Sequence, residues 1–244
     1  AGVSITKGRF NVVLGDRALN TEDVGDFSTA IGYNSLYKQN SDSDNETTGN
    51  TGLGAYTGFN NVTGQNNTYV GYNAGFGVSG NSNEYNTGVG KDALLSITDG
   101  GFNVVVGSRA GDALTTGDFN VMMGDYAGST AADVDRTVII GHSAAGSGNM
   151  VTSADGTVAI GYSALNLITT GTGNVAVGYL AATDITTGGY NTVLGHEALT
   201  NAQTGVSNNT AIGWRAGYKL GDDGGSDHSE NNTIVGTGAM GGGH

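Results

Sequence analysis

The chain has 244 residues, of which 45 are glycine and none is proline or cysteine, and only 13% are charged. That much glycine without proline or a G-X-Y period excludes collagen and proline-rich linkers, and without cysteine no disulfide braces the fold. A formal charge of -13 and a pI near 4.3 argue against nucleic acid and anionic membrane surfaces as partners, and no stretch approaches the ~18 apolar residues of a membrane span.

Residues 1–10 read as a lead-in, 11–240 as a repeat region and 241–244 as a tail. Within the repeat region a five-residue phrase recurs thirteen times, from NVVLG at Asn11 to Gly15, through STAIG at Ser28 to Gly32, to NTIVG at Asn232 to Gly236. Seven of the twelve intervals between its closing glycines are seventeen residues. Seventeen extended residues span at most about 56–61 Å of contour, so each repeat holds one or two short strands and their turns. A period this short predicts an all-β, parallel β-solenoid of about thirteen coils.

Read by column, the first residue of the phrase is Asn in ten copies and Ser28, Thr137 or Thr157 in the others. Stacked carboxamides both donate and accept, so the column predicts a hydrogen-bonded ladder. The second residue is Val or Thr and the fourth is Leu, Ile, Val or Met in every copy, an alternation that places both inside the coil. The third residue then points outward, yet it is never charged, and it includes Val13, Tyr69 and Ile139. An apolar residue on both faces implies cover on both faces, and a second copy of the chain is the expected cover. Another sheet of the same chain is the alternative.

Two variable residues follow each glycine, and then a small one that is Ala in eleven of thirteen copies. This segment reads as a return strand, closed by turns rich in Thr and Gly such as Thr115-Thr116-Gly117. Four intervals reach nineteen residues or more, and their insertions at 37–49, 76–85, 145–156 and 218–231 all fall before the next phrase. Insertions on one side of a solenoid often mark its binding face, although surface loops also lengthen at little entropic cost.

The variable positions form a stripe rich in aromatic residues, and Tyr33, Tyr72, Tyr126, Tyr162, Tyr179 and Trp214 are its candidate binding residues. Such rings suit sugar C–H surfaces or protein interfaces, and the competing reading is stacking between coils. Two insertions are acidic, with Asp42, Asp44 and Glu46 in one and Asp222, Asp223 and Asp227 in the other. They are weak calcium candidates, because neither matches an EF-hand or the G-G-x-G-x-D nonapeptide. The four histidines are scattered and no nucleophile elbow appears, so no catalytic residue and no enzyme activity are expected.

The phrases running from Asn174 to Ala181 (NVAVGYLA) and from Asn209 to Gly217 (NTAIGWRAG) resemble the head repeats of trimeric autotransporter adhesins and the repeats of bacteriophage tail fibres. The resemblance covers about Asn11 to Gly236. It implies a left-handed β-roll, a homotrimer, and a virion or cell-surface location. It also implies attachment to a receptor, either a polysaccharide or a protein. A spacer shaft whose recognition lies in another domain is the alternative. Ice binding is disfavoured here, because it needs an outward Thr ladder and the Thr column is expected inside.

Overall fold

A computed structural model describes residues 1–80, 82–202, 205–220 and 230–240. The second to fourth residues of each phrase form one three-residue strand, and the chain divides into two units. In Ala1–Phe119 the strands are β1 (Val12–Leu14), β2 (Thr29–Ile31), β3 (Thr51–Leu53), β4 (Thr68–Val70), β5 (Thr87–Val89) and β6 (Val104–Val106). In Asn120–His244 they are β7 (Val121–Met123), β8 (Val138–Ile140), β9 (Val158–Ile160), β10 (Val175–Val177), β11 (Thr192–Leu194), β12 (Thr210–Ile212) and β13 (Thr233–Val235). Within each unit every strand pairs in parallel with the next in sequence, so each repeat is one coil of a β-solenoid. The register sets like positions side by side: Val12 beside Thr29, Val13 beside Ala30, Leu14 beside Ile31. Among the described residues no helix is long and apolar enough to cross a membrane.

The two faces of the strand are the reverse of the sequence expectation. The third position is buried, with Ala30, Tyr69, Val105, Met122 and Ile139 fully inaccessible, whereas the second and fourth positions face out. Leu14 is 65% exposed, Leu53 46% and Leu194 49%. The deciding residue is the first one. Its carboxamide lies inside the coil, and in a strand the first and third residues share a face. Asn67 takes its backbone N–H and its Nδ2 to Asn50 Oδ1, Asn103 does the same to Asn86, and Asn191 to Asn174. The expected ladder therefore exists, but it belongs to the interior and pulls the third position in with it.

In six of the coils volume is shared between the third position and the fourth residue after the glycine, although Val193 is matched with Leu199 and Gly52 with Gly58. Ala30 faces a coil with Leu36, Gly88 one with Leu94 and Ala159 one with Leu165, while Tyr69, Val105 and Met122 are matched with Gly75, Gly111 and Gly128. Tyr69 shows the rule at its limit. A Cβ on Gly75 would lie 2.3 Å from its ring, one on Gly58 3.1 Å and one on Gly88 3.0 Å, and its phenol donates to Asn83 Oδ1.

The return segment is a pair of turns rather than a strand. In each unit the backbone visits positive φ at the residue before the phrase (Phe102, 58°), two residues after its glycine (Arg109, 52°) and four after it (Leu94, 53°). These left-handed turns aim amides along the coil axis: Phe102 N–H bonds Glu84 O, Arg109 N–H bonds Lys91 O, and Leu94 N–H bonds Ala110 O. Glycine closes the phrase because neighbouring coils nearly touch there. A Cβ on Gly32 would lie 2.4 Å from the Gly54 carbonyl oxygen, and its φ is 133°.

Candidate functional site

Proceeding along the coil from the strand, the first feature is the outward strand face. Its second and fourth positions hold Val, Thr, Leu, Ile or Met in all thirteen copies and no charged residue. Consecutive parallel strands in register align these residues into columns within each unit; the fourth position is apolar throughout, while the second carries Thr on β2 to β5 and β11 to β13. Contiguous apolar surface of this kind marks an interaction site. The face left uncovered is therefore that of the second and fourth positions, and not the third as the sequence suggested.

Next come the stripe residues after the glycine. Tyr33, Tyr72, Tyr126, Tyr162, Tyr179 and Trp214 are all exposed, and the two units arrange their rings differently. In the second unit His142 stacks on Tyr162 at 5.3 Å and 10°, Tyr162 on Tyr179 at 5.2 Å and 14°, and Tyr179 on His196 at 4.8 Å and 21°. Parallel rings one coil apart cover one another's faces and leave only edges to solvent. Trp214 lies beside the Arg215 guanidinium, 4.8 Å from its ring centre, and Arg215 in turn is held by Glu197.

In the first unit Tyr33 meets Tyr56 at 5.3 Å and 84°, and Tyr56 meets Tyr72 at 6.1 Å and 82°. Tyr56 also touches Phe59 and Phe76, which stack on each other at 5.1 Å, with Tyr37 on the far side of Phe59. Desolvation raises the Tyr56 phenol above its ordinary value, and the nearby Tyr33 and Tyr72 phenols add to the rise. Six rings from three consecutive coils thus form one surface patch, in which Tyr56 stands across its neighbours while Tyr37, Phe59 and Phe76 form a parallel stack.

A further aromatic column escapes the reading by stripe. Phe10 stacks on Phe27, and Tyr85 on Phe102 on Phe119, all exposed and all at positive φ immediately before the phrase. The signal was in the sequence, since Phe102 and Phe119 stand seventeen residues apart like the glycines.

The insertions are tied to the body. Ser28 lacks the Asn carboxamide of the inner ladder, and Gln39 from the 37–49 insertion fills the gap, donating to Ser28 Oγ and Glu22 Oε2 and accepting from Asn50 Nδ2. Glu22 is fully buried and accepts from the backbone of Gly25 and from Ser41 Oγ. The 76–85 insertion sends Asn83 inward to Tyr69, and 145–156 sends in Met150 and Ala154. Lys38 joins the first two insertions by donating to Ser79 Oγ.

Of the calcium candidates, Asp44 is paired with Lys7, and Glu46 accepts from Gln65 and from the backbone of Asp42. Asp222, Asp223 and Asp227 lie outside the described residues. Among the described residues no three His, Cys, Asp or Glu side chains are placed to hold a metal ion.

Fold and surface together define a parallel β-solenoid repeat protein with apolar and aromatic columns on its outside. The chain matches no protein-family model, no curated protein and no solved structure.

Proposed function

We propose that this chain is a segment of a homotrimeric fibre or adhesin, borne on a virion or a cell surface, that attaches to a cell-surface receptor and carries out no catalysis. The observation that carries the reading is the outward strand face, apolar or hydroxylic in all thirteen repeats and free of charge. A second and third copy would remove that face from water and leave the aromatic stripe and insertions outside. Three identical sites on one assembly then raise the effective concentration for a repeating receptor. A net charge of -13 per chain keeps such an assembly soluble and favours a neutral or cationic receptor surface over nucleic acid.

Light scattering on the purified chain tests the assembly: a mass three times 24.5 kDa is expected, and a single chain at micromolar concentration overturns it. Cell-binding and glycan-array measurements test recognition, and a trimer that retains nothing is a spacer shaft.

One second reading is favoured by the reversal of the strand. Thr29, Thr51, Thr68 and Thr87 form an outward column on four consecutive strands, the arrangement that an ice-binding face requires. Thermal hysteresis from the isolated chain would select this reading over the trimer, since the same face cannot serve both.

A further inference from the structure

In the proposed trimer each copy meets the next head to tail, and a head-to-tail contact joins two different patches. The outward strand face is one of them. The column of residues immediately before the phrase has the make-up of the other. In the first unit its five rings, from Phe10 to Phe119, are interrupted only by Gly49 and Asn66, and no charged residue stands among them. The stripe after the glycine is less suited, with Asp16 and Lys91 in the same unit. Interface cores are depleted in charge and enriched in aromatic residues.

The exposed area is of the right order. Phe10 is 69% exposed, and Phe27, Tyr85, Phe102 and Phe119 are each about half exposed. At about 150–250 Å² for a fully buried ring, the exposed parts amount to roughly 400–670 Å². That is half or more of the ~800 Å² that each partner contributes to a stable interface.

Spacing points to a second copy as the occupant. Phe10 stacks on Phe27 at 4.8 Å, Tyr85 on Phe102 at 4.7 Å and Phe102 on Phe119 at 5.1 Å, so the column presents a ridge of ring edges, one per coil. Apolar side chains at the same step are what the strand face of another copy supplies, with Leu14 beside Ile31 and Val89 beside Val106 at the fourth position. Copies side by side in a ring set coils of equal number at equal height. The coils that lack a ring, at Gly49 and Asn66, carry Thr51 and Thr68 at the second position, whereas those of Phe10 and Phe102 carry Val12 and Val104. The second unit has one ring in this column, Tyr190, and also the charged Arg136.

We propose that the aromatic ridge of the first unit, from Phe10 to Phe119, docks on the outward strand face of a second copy and forms the other half of each contact in the trimer. This rests on the trimer reading above and names its second patch.

The column's own alternative residue provides the test. Asn66, Asn208 and Asn231 hold this position at φ of 59°, 60° and 59°, so Phe→Asn preserves the left-handed turn. Two double variants, Phe10→Asn with Phe27→Asn and Phe102→Asn with Phe119→Asn, are compared by sedimentation velocity at micromolar concentration, with far-ultraviolet circular dichroism to verify folding. The unaltered chain is expected to run as three chains and each double variant as one. A control in the stripe, Tyr162→Ala with Tyr179→Ala, is expected to remain at three. Fluorine NMR of the unaltered chain labelled with 4-fluorophenylalanine reads the ridge without any variant: its ring signals should lose their solvent isotope shift as the trimer assembles. If both double variants stay at three chains while Val104→Glu dissociates, or if the ridge signals keep their isotope shift in the trimer, the ridge is overturned and the trimer reading stands. Dissociation of the stripe control would also overturn it, by making the stripe the second patch. A single chain for the unaltered protein defeats both.

Discussion

Replacing Tyr69 tests the packing rule of the interior, because glycines at 58, 75 and 88 are shaped around its ring. Tyr69→Ala should cost about 3–5 kcal/mol in urea unfolding, as for other buried aromatics, and Tyr69→Phe about 1 kcal/mol through the lost bond to Asn83. Gly75→Ala should destabilise by about 1–3 kcal/mol in the unaltered protein. The same change should cost less beside Tyr69→Ala, where the clash is gone, and that non-additivity is the measurement to make. A ladder residue behaves differently. Asn86→Ala strands the Asn103 amides it accepts from and frees the Gly100 carbonyl, so about 1–3 kcal/mol is expected with no change in volume-driven packing.

Charge at single residues gives a pH signature. Burial alone would raise the Asp92 carboxyl, but Lys91, Asn73 and Arg109 outweigh it and hold the group below its ordinary value of 3.8. A lowered folded value means that its contribution is present above the unfolded value and is lost as pH falls through the folded one. Asp92→Asn should therefore lower the urea midpoint at pH 7 and approach the unaltered protein as the pH drops below 3.8. Asp112 and Asp184 have the opposite sign, since burial raises both, and they disfavour folding at neutral pH until they are protonated.

At the scale of the element, a three-residue strand is too short to stand alone, and the coil is held by ladders on all its sides. Positive φ at non-glycine residues such as Phe102, Arg109 and Leu94 costs of order 1–3 kcal/mol each, and the inter-coil bonds made by those amides offset it. The sequence showed the coil, its period and the Asn ladder plainly. It did not show these turns, because Leu, Arg and Phe at left-handed positions contradict their local preference and are tolerated only when stacked neighbours hold them. The insertions were legible by length alone. That Gln39 replaces a missing carboxamide above Ser28 needed coordinates, since the two residues are distant in the alignment of repeats. Gln39→Ala should speed hydrogen exchange across 37–49 while protection in strands β4 to β6 stays unchanged; equal exchange throughout would mean that Gln39 does not anchor the loop.

At the scale of the whole molecule, the proposed trimer rests on the outward strand face. Val104→Glu or Val175→Glu places a carboxylate on that face without touching the interior, and each should convert the proposed trimer to monomer while the far-ultraviolet spectrum is retained. A mass that stays at three chains in both would remove the face from the interface. Because each chain carries -13, association should tighten as salt screens the repulsion between copies. What the sequence determined by itself was periodicity: a seventeen-residue repeat, parallel coils, a polar ladder and the presence of uncovered apolar residues. Which face of the strand is inside was decided only by the tertiary structure. Both faces are apolar, so hydrophobic alternation is silent, and the choice falls to the Asn carboxamide, which finds its partners only when the next coil is stacked upon it.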